Sequence, residues 1–138
     1  MTRQVVDPAA FDSWRAACCA VEIDSIDIQR IEDGIARLGE RFLNRFFTAA
    51  ERADCLDKPH RLAARIAAKE AVGKTLGTGI GDVAGKEIEI TNDPRGRPIL
   101  TLHGAAAKLA ADMGLIEWDV SLTHTDTTAS AVVVALGH

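Results

Sequence analysis

Apolar positions along this chain change their spacing as it proceeds, and the changes divide it into helical and extended parts. From Ile28 to Phe47 the period is helical, with Ile31, Ile35, Leu38, Phe42 and Phe46 on one stripe. Gly34 and Gly39 weaken that run, so a bend or break near Gly39 is expected. Thr48 and Glu51 have capping-box spacing and predict a second, short helix leading to Pro59. Arg61 to Gly79 then reads as one central helix, rich in Ala, Leu, Arg, Lys and Glu and stopped by Gly77 and Gly79. After Gly81 the period becomes two. Glu87–Ile90 and Leu100–Leu102 alternate around the turn residues Asn92 to Gly96, which predicts a hairpin. A helix from about Gly104 to Met113 follows. Trp118, Val120 and Leu122 alternate with polar residues in the next strand, and His124 to Thr127 make a turn. Ala129 to Leu136 is a nearly continuous apolar run, as in a central strand covered on both faces. Segregated helices and antiparallel pairs make the fold α+β, an antiparallel sheet with helices packed on it.

The N-terminal stretch is read less directly. Asp7-Pro8 is a helix-start signal, and Phe11, Trp14, Arg15 and Cys18 follow at helical spacing, predicting a short helix that ends near Ala20. Val21 and Ile23 begin a short strand, with Asp24 at its end. The expected organisation is an extension over residues 1–20 and a single domain over residues 21–138.

Charged positions add candidate chemistry. On the central helix Glu70 and Lys74 are four apart and share a face. Alone, such a pair is commonly a solvated surface pair. Here it stands beside the small residues Ala64, Ala68 and Ala71 and just before Gly77-Thr78-Gly79, which argues against full exposure. Arg61, Arg65 and Lys69 form a basic stripe next to it. The glycines are either a helix cap or a loop approaching a phosphate; the Walker A pattern is absent. Asp24 reads as a helix cap or as a ligand for a hard cation. Arg30, Arg37, Arg41 and Arg45 fall along one side of the Ile28–Phe47 run, as a solvated face or a surface for an acidic partner.

Composition narrows the classes. The chain has 138 residues, nearly half of them apolar, which suits one domain with a real core. A net charge of −4 argues against general nucleic-acid binding. No apolar run is long enough to span a membrane, and the first residues lack a secretion signal's apolar centre. Three cysteines, Cys18, Cys19 and Cys55, have no zinc or redox spacing and suit a reducing, cytoplasmic setting.

Four stretches in order resemble the holo-acyl-carrier-protein synthase family of small 4'-phosphopantetheinyl transferases. They are I-D-S-I-D-I-Q-R-I at 23–31, R-I-A-A-K-E-A-V-G-K-T-L-G-T-G at 65–79, G-R-P at 96–98 and S-L-T-H-T at 121–125. The resemblance covers the chain from about Val21 to Leu136. It implies that fold, and it implies transfer of the phosphopantetheine arm of coenzyme A to a serine of an acyl carrier protein, with release of adenosine 3',5'-bisphosphate. It further implies magnesium, a cytoplasmic homotrimer with active sites at subunit boundaries, and no nucleic-acid or membrane partner.

Residue by residue, the resemblance makes Asp24 and Glu70 the metal-binding acids and Lys74 the lysine at the pyrophosphate. Arg65, Lys74, Gly77, Gly79, Gly96, Arg97, Pro98, Ser121, His124 and Thr125 match coenzyme A positions. Arg30, Arg37, Arg41, Phe42 and Arg45 match the face shown to the carrier. Elementary chemistry agrees: magnesium is held by one or two carboxylates with waters and phosphate oxygens, and Glu70 is the best candidate base. Two residues depart from the pattern, Glu22 for the usual glycine and Ser25 for an aliphatic residue. The competing readings are a specialist transferase for a polyketide or fatty-acid synthase carrier domain, and a non-catalytic module that binds carrier or coenzyme A.

Overall fold

In chain order the elements are β1 (Cys18–Asp27), α1 (Ile28–Leu38), α2 (Glu40–Phe46), α3 (Ala49–Cys55), α4 (Pro59–Leu76), a 3₁₀ turn (Gly85–Glu87), β2 (Ile88–Asn92), β3 (Pro98–Leu102), α5 (Gly104–Asp112), β4 (Leu115–His124) and β5 (Thr128–Gly137). This computed structural model describes residues 18–79 and 85–137. The expected N-terminal helix lies mainly outside them. Its last three residues, Cys18 to Ala20, already belong to β1, because Cys18 and Ala20 pair with Leu136 and Ala135 of β5.

Three antiparallel strands form the main sheet in the order β1-β5-β4, and β2-β3 is a separate hairpin. Helix α4 lies across β1 and β5. Ala63, Ala64, Ala67, Ala68 and Ala71 are all buried, and side chains this small let the helix sit close to the sheet. Burial reaches most of the way round α4, as in a core helix. Pro59 begins it at the first turn, where its missing N–H costs nothing, and Gly77 ends it in a left-handed conformation. A side chain at Gly73 would come within 2.9 Å of the Gly79 backbone, so glycine there lets the chain fold back over the helix end. Ile88 and Ile90 of β2 are fully buried, each stabilising the fold by roughly 1.5–3 kcal/mol.

Several expected features are present. The break falls at Gly39, whose φ of 56° and ψ of −128° suit only glycine and split the run into α1 and α2. The Thr48–Glu51 capping box is closed on both sides. The hairpin turn is held by Asp93, whose Oδ1 accepts from the backbone N–H groups of Arg95 and Arg97, both at 2.8 Å.

Four expectations need correction. The first is Asp24, which lies inside β1 and not at its end, because Ser25, Ile26 and Asp27 continue the ladder to Ser130, Ala129 and Thr128. The basic stripe turns inward along α4: Arg65 is buried, and Lys69 is fully buried against Glu51. Leu38 departs from the apolar stripe: it ends α1 beside the break and is 44% exposed. The last is β5, which is central but covered fully on one face only. Ala129, Ala131, Val133 and Ala135 are buried beneath α4, whereas the alternate positions Val132, Val134 and Leu136 are partly exposed. On that open face β1 adds Val21 and Ile23, 55% and 63% exposed.

Candidate active site

Alternation along β1 sets the first site residue. The register with β5 places Glu22, Asp24 and Ile26 on one face, opposite Val133, Ala131 and Ala129, which are buried. Asp24 therefore faces α4, across from the small Ala131. Glu70 and Lys74, one turn apart on α4, meet it there. Lys74 Nζ donates to Asp24 Oδ1 at 2.7 Å. Asp24 Oδ2 is buried without a hydrogen-bond partner. From α1, Arg30 Nη1 donates to Glu70 Oε1 at 3.3 Å.

Two carboxyl groups side by side cannot both ionise without cost. Burial, and then the hydrogen bond and charge of Asp24, push the Glu70 carboxyl up to about 7. Burial would raise Asp24 as well, but a hydrogen bond from Glu70 while that group keeps its proton, and the one from Lys74, leave it below the usual carboxylate range; once Glu70 ionises, Asp24 Oδ2 has no partner. The Lys74 ammonium is raised by its hydrogen bond to Asp24 and by that charge, with a smaller contribution from Glu22. Glu70 is thus poised near neutrality, where a general base works best. An unpartnered buried oxygen between two acids also suits a divalent cation. Among the described residues no group of three His, Cys, Asp or Glu is arranged to hold a metal. A two-acid set fits magnesium, which keeps waters and takes phosphate oxygens.

A second feature opens on the other side of α4. It is a cleft of about 630 Å³ whose walls include Arg65, Gly96, Arg97, Pro98, Ser121 and His124. Arg65 Nη2 donates to Asn92 Oδ1 at 2.8 Å, while its buried Nε has no acceptor. That free donor suits an anionic oxygen. At the mouth Arg97 meets Asp119 at 3.3 Å in an exposed pair. His124 packs its ring against His60 with centroids 4.7 Å apart, and burial and then this neighbour's charge hold His60 below its ordinary pKa. Lys74, Gly77, Gly79 and Thr125 do not line the cleft. Thr125 is used in the β4–β5 turn, where its Oγ1 accepts from the Thr128 N–H at 3.0 Å.

Sequence reasoning missed Asp54, Asn92 and Asp119 and placed Arg61 only on the basic stripe with Arg65; all four also line the cleft. They come from α3, α4, β2 and β4, and no spacing in the chain joins them. It also missed the groove of about 190 Å³ in which Ile31, Phe46 and Ile66 join Arg30, Phe42 and Glu70. Of the expected carrier-facing residues, Arg30, Arg37, Arg41 and Arg45 are all exposed. Phe42 lies in the groove with its ring 5.2 Å from that of Phe46, and Arg45 lies over the Phe46 ring.

Comparison with known proteins bears on this arrangement. Residues 21–133 match the 4'-phosphopantetheinyl transferase superfamily. A holo-acyl-carrier-protein synthase of Herpetosiphon aurantiacus is 45% identical over 122 residues, covering 83% of this chain and 96% of the relative. That of Solidesulfovibrio magneticus is 48% identical over 117 residues, covering 83% and 95%. The crystal structure of the Helicobacter pylori synthase in complex with coenzyme A superposes with a TM-score of 0.76 at 32% identity, covering 84% of this chain and 99% of that one. The Bacillus anthracis synthase, solved in complex with CoA (3',5'-ADP), gives 0.69 at 32% identity, covering 89% and 100%. With its α+β fold, the chain belongs to the 4'-phosphopantetheinyl transferase superfamily and, within it, to the holo-acyl-carrier-protein synthases.

Proposed function

We propose that this enzyme transfers the 4'-phosphopantetheine arm of coenzyme A to a serine of an apo acyl carrier protein and releases adenosine 3',5'-bisphosphate, with Asp24 and Glu70 holding magnesium. One observation carries this reading: the Asp24–Glu70 carboxyl pair, with its unpartnered Oδ2, set one turn from Lys74. When bound, the metal neutralises charge on the pyrophosphate. Glu70 accepts the serine proton as the serine oxygen bonds to phosphorus. Lys74 meets the charge on the departing bisphosphate as its P–O bond breaks. Coenzyme A bound to relatives, and the free Arg65 Nε–H in the cleft, support a nucleotide there. Buried, reduced Cys55 is consistent with a cytoplasmic setting.

The proposed enzyme is a homotrimer, as the family resemblance implies. Arg65 and Glu70 are five positions apart, or about 140° around the helix. The cleft lies on the β4 side and the acids on the β1 side, with β5 between them, so the two are about 10 Å apart across the sheet. In such an assembly a neighbouring subunit would cover the open Val21, Ile23, Val132 and Val134 face, on the side of the sheet away from α4. The exposed arginines Arg37, Arg41 and Arg45 suit an acidic carrier by charge.

The test is intact-mass analysis of apo acyl carrier proteins incubated with the enzyme, coenzyme A and magnesium. Gain of one phosphopantetheine is expected. No gain on any carrier, with folded enzyme, would overturn the reading. Arg41→Glu should weaken carrier binding about tenfold or more and leave coenzyme A binding unchanged.

A further inference from the structure

The two acids of the site are held by different kinds of cation. Lys74 holds Asp24 from the same helix that carries Glu70. Arg30 holds Glu70 from another helix, at 3.3 Å, with its own side chain 67% exposed and that of Glu70 23% exposed. Arg30 therefore stands at a boundary: its guanidinium touches the candidate base, and its outer edge belongs to the surface beside the Phe42 groove, where Arg37 lies together with Asp27 and Asp33. Asp33, one turn further along α1, accepts from Gln29 at 2.9 Å.

An exposed single-contact pair like this contributes little and exchanges easily. A guanidinium also prefers a carboxylate that it can grip with both N–H groups. An acidic partner offering such a carboxylate competes with Glu70 for Arg30. Losing Arg30 frees Glu70 Oε1 and removes a positive charge that repels a cation beside Asp24, so a divalent cation then binds better.

We propose that Arg30 is a positioning residue that latches Glu70 in the free enzyme and hands it over when an acidic carrier docks. Carrier docking and metal uptake then favour each other. The proposal rests on the reading of the arginine face as the carrier surface. It needs no change of fold, only exchange of one exposed partner for another, and the coupling must be reciprocal.

The test uses full-length enzyme without coenzyme A, manganese as the metal probe read by electron paramagnetic resonance, and an apo acyl carrier protein whose acceptor serine is replaced by alanine. Carrier should tighten manganese binding to the wild type by about two- to fivefold, the range of an exposed ion pair. Arg30→Met should bind manganese about two- to fivefold tighter with no carrier present, and carrier should add nothing further. Arg41→Met should bind carrier more weakly while its own manganese affinity stays at the wild-type value. Each variant is first shown to melt like the wild type. If Arg30→Met lowers carrier binding but leaves manganese affinity unchanged, the latch is wrong and the carrier surface stands. If both variants bind carrier as tightly as the wild type, the arginine face is not the carrier surface and the hand-over falls with it.

Discussion

Lys69 and Glu70 are neighbours on α4, and they live under opposite rules. Lys69 is fully buried and spends all three of its donors, on Glu51 at 2.8 Å, the Gly85 carbonyl at 2.8 Å and the Ile88 carbonyl at 2.5 Å. Glu51 is equally satisfied, accepting as well from the Thr48 and Ile90 N–H groups, both at 3.0 Å. Burial lowers the Lys69 pKa, and the Glu51 charge holds against it. This network ties α3, α4 and β2 together and leaves nothing for a ligand. One residue on, Glu70 shares a site with Asp24, has its pKa pushed to about 7, and borders an oxygen with no partner. Satisfied buried charge fixes the helix. The half-open acid pair on its next face is the proposed site for a cation and a phosphate.

The largest expected effect lies in the buried region. Lys69→Met strands the Glu51 carboxylate in the core and should cost about 3–5 kcal/mol in denaturant unfolding. A loss under about 1 kcal/mol would mean that the network is not what sets α4.

The open region should behave in the reverse way. A carboxyl raised from its ordinary 4.5 to about 7 binds its proton more tightly in the folded chain. The stability it contributes is present below about 4.5 and lost as pH rises through about 7. In chelator at pH 8 the wild type carries that loss and Glu70→Gln does not. Glu70→Gln should therefore melt roughly 3–6 °C higher at pH 8, with the gap closing toward pH 5. A lower melting temperature at both pH values would make Glu70 a structural residue like its neighbour.

Lys74→Ala should do least to stability, because the ammonium is half exposed. A melting shift of about 3 °C or less is expected. A shift as large as that of Lys69→Met would erase the contrast between the two regions.

Much of this was legible in the sequence, for local reasons. Gly39, the Thr48–Glu51 box and the Asp93 turn act on nearby backbone, so spacing reveals them. The β4 alternation shows as well, because only one face of that strand meets the core. Lys69 misled because, four residues after Arg65, it falls on a helical basic stripe; its partner Glu51 looked like a helix cap alone and proved to be both. The polar Ser25 and Asp27 hide the last rungs of the β1 ladder, so spacing alone puts Asp24 at a strand end. The cleft was least visible, since Asp54, Asn92 and Asp119 meet only in three dimensions. The roles of Asp24, Glu70 and Lys74 came with the family resemblance; periodicity offered only the shared face of the last two.

In the proposed mechanism Asp24, Glu70 and Lys74 act around one magnesium ion and one pyrophosphate. It is tested most directly by the rate of carrier modification against magnesium concentration for Asp24→Asn, Glu70→Gln and Lys74→Ala, each shown to be folded. Glu70→Gln should lose about 10²–10³ in rate, as when a positioned charge is removed from such a site. Asp24→Asn should recover in part as magnesium is raised, and Lys74→Ala should not. Near wild-type rates for both Glu70→Gln and Lys74→Ala would contradict the account.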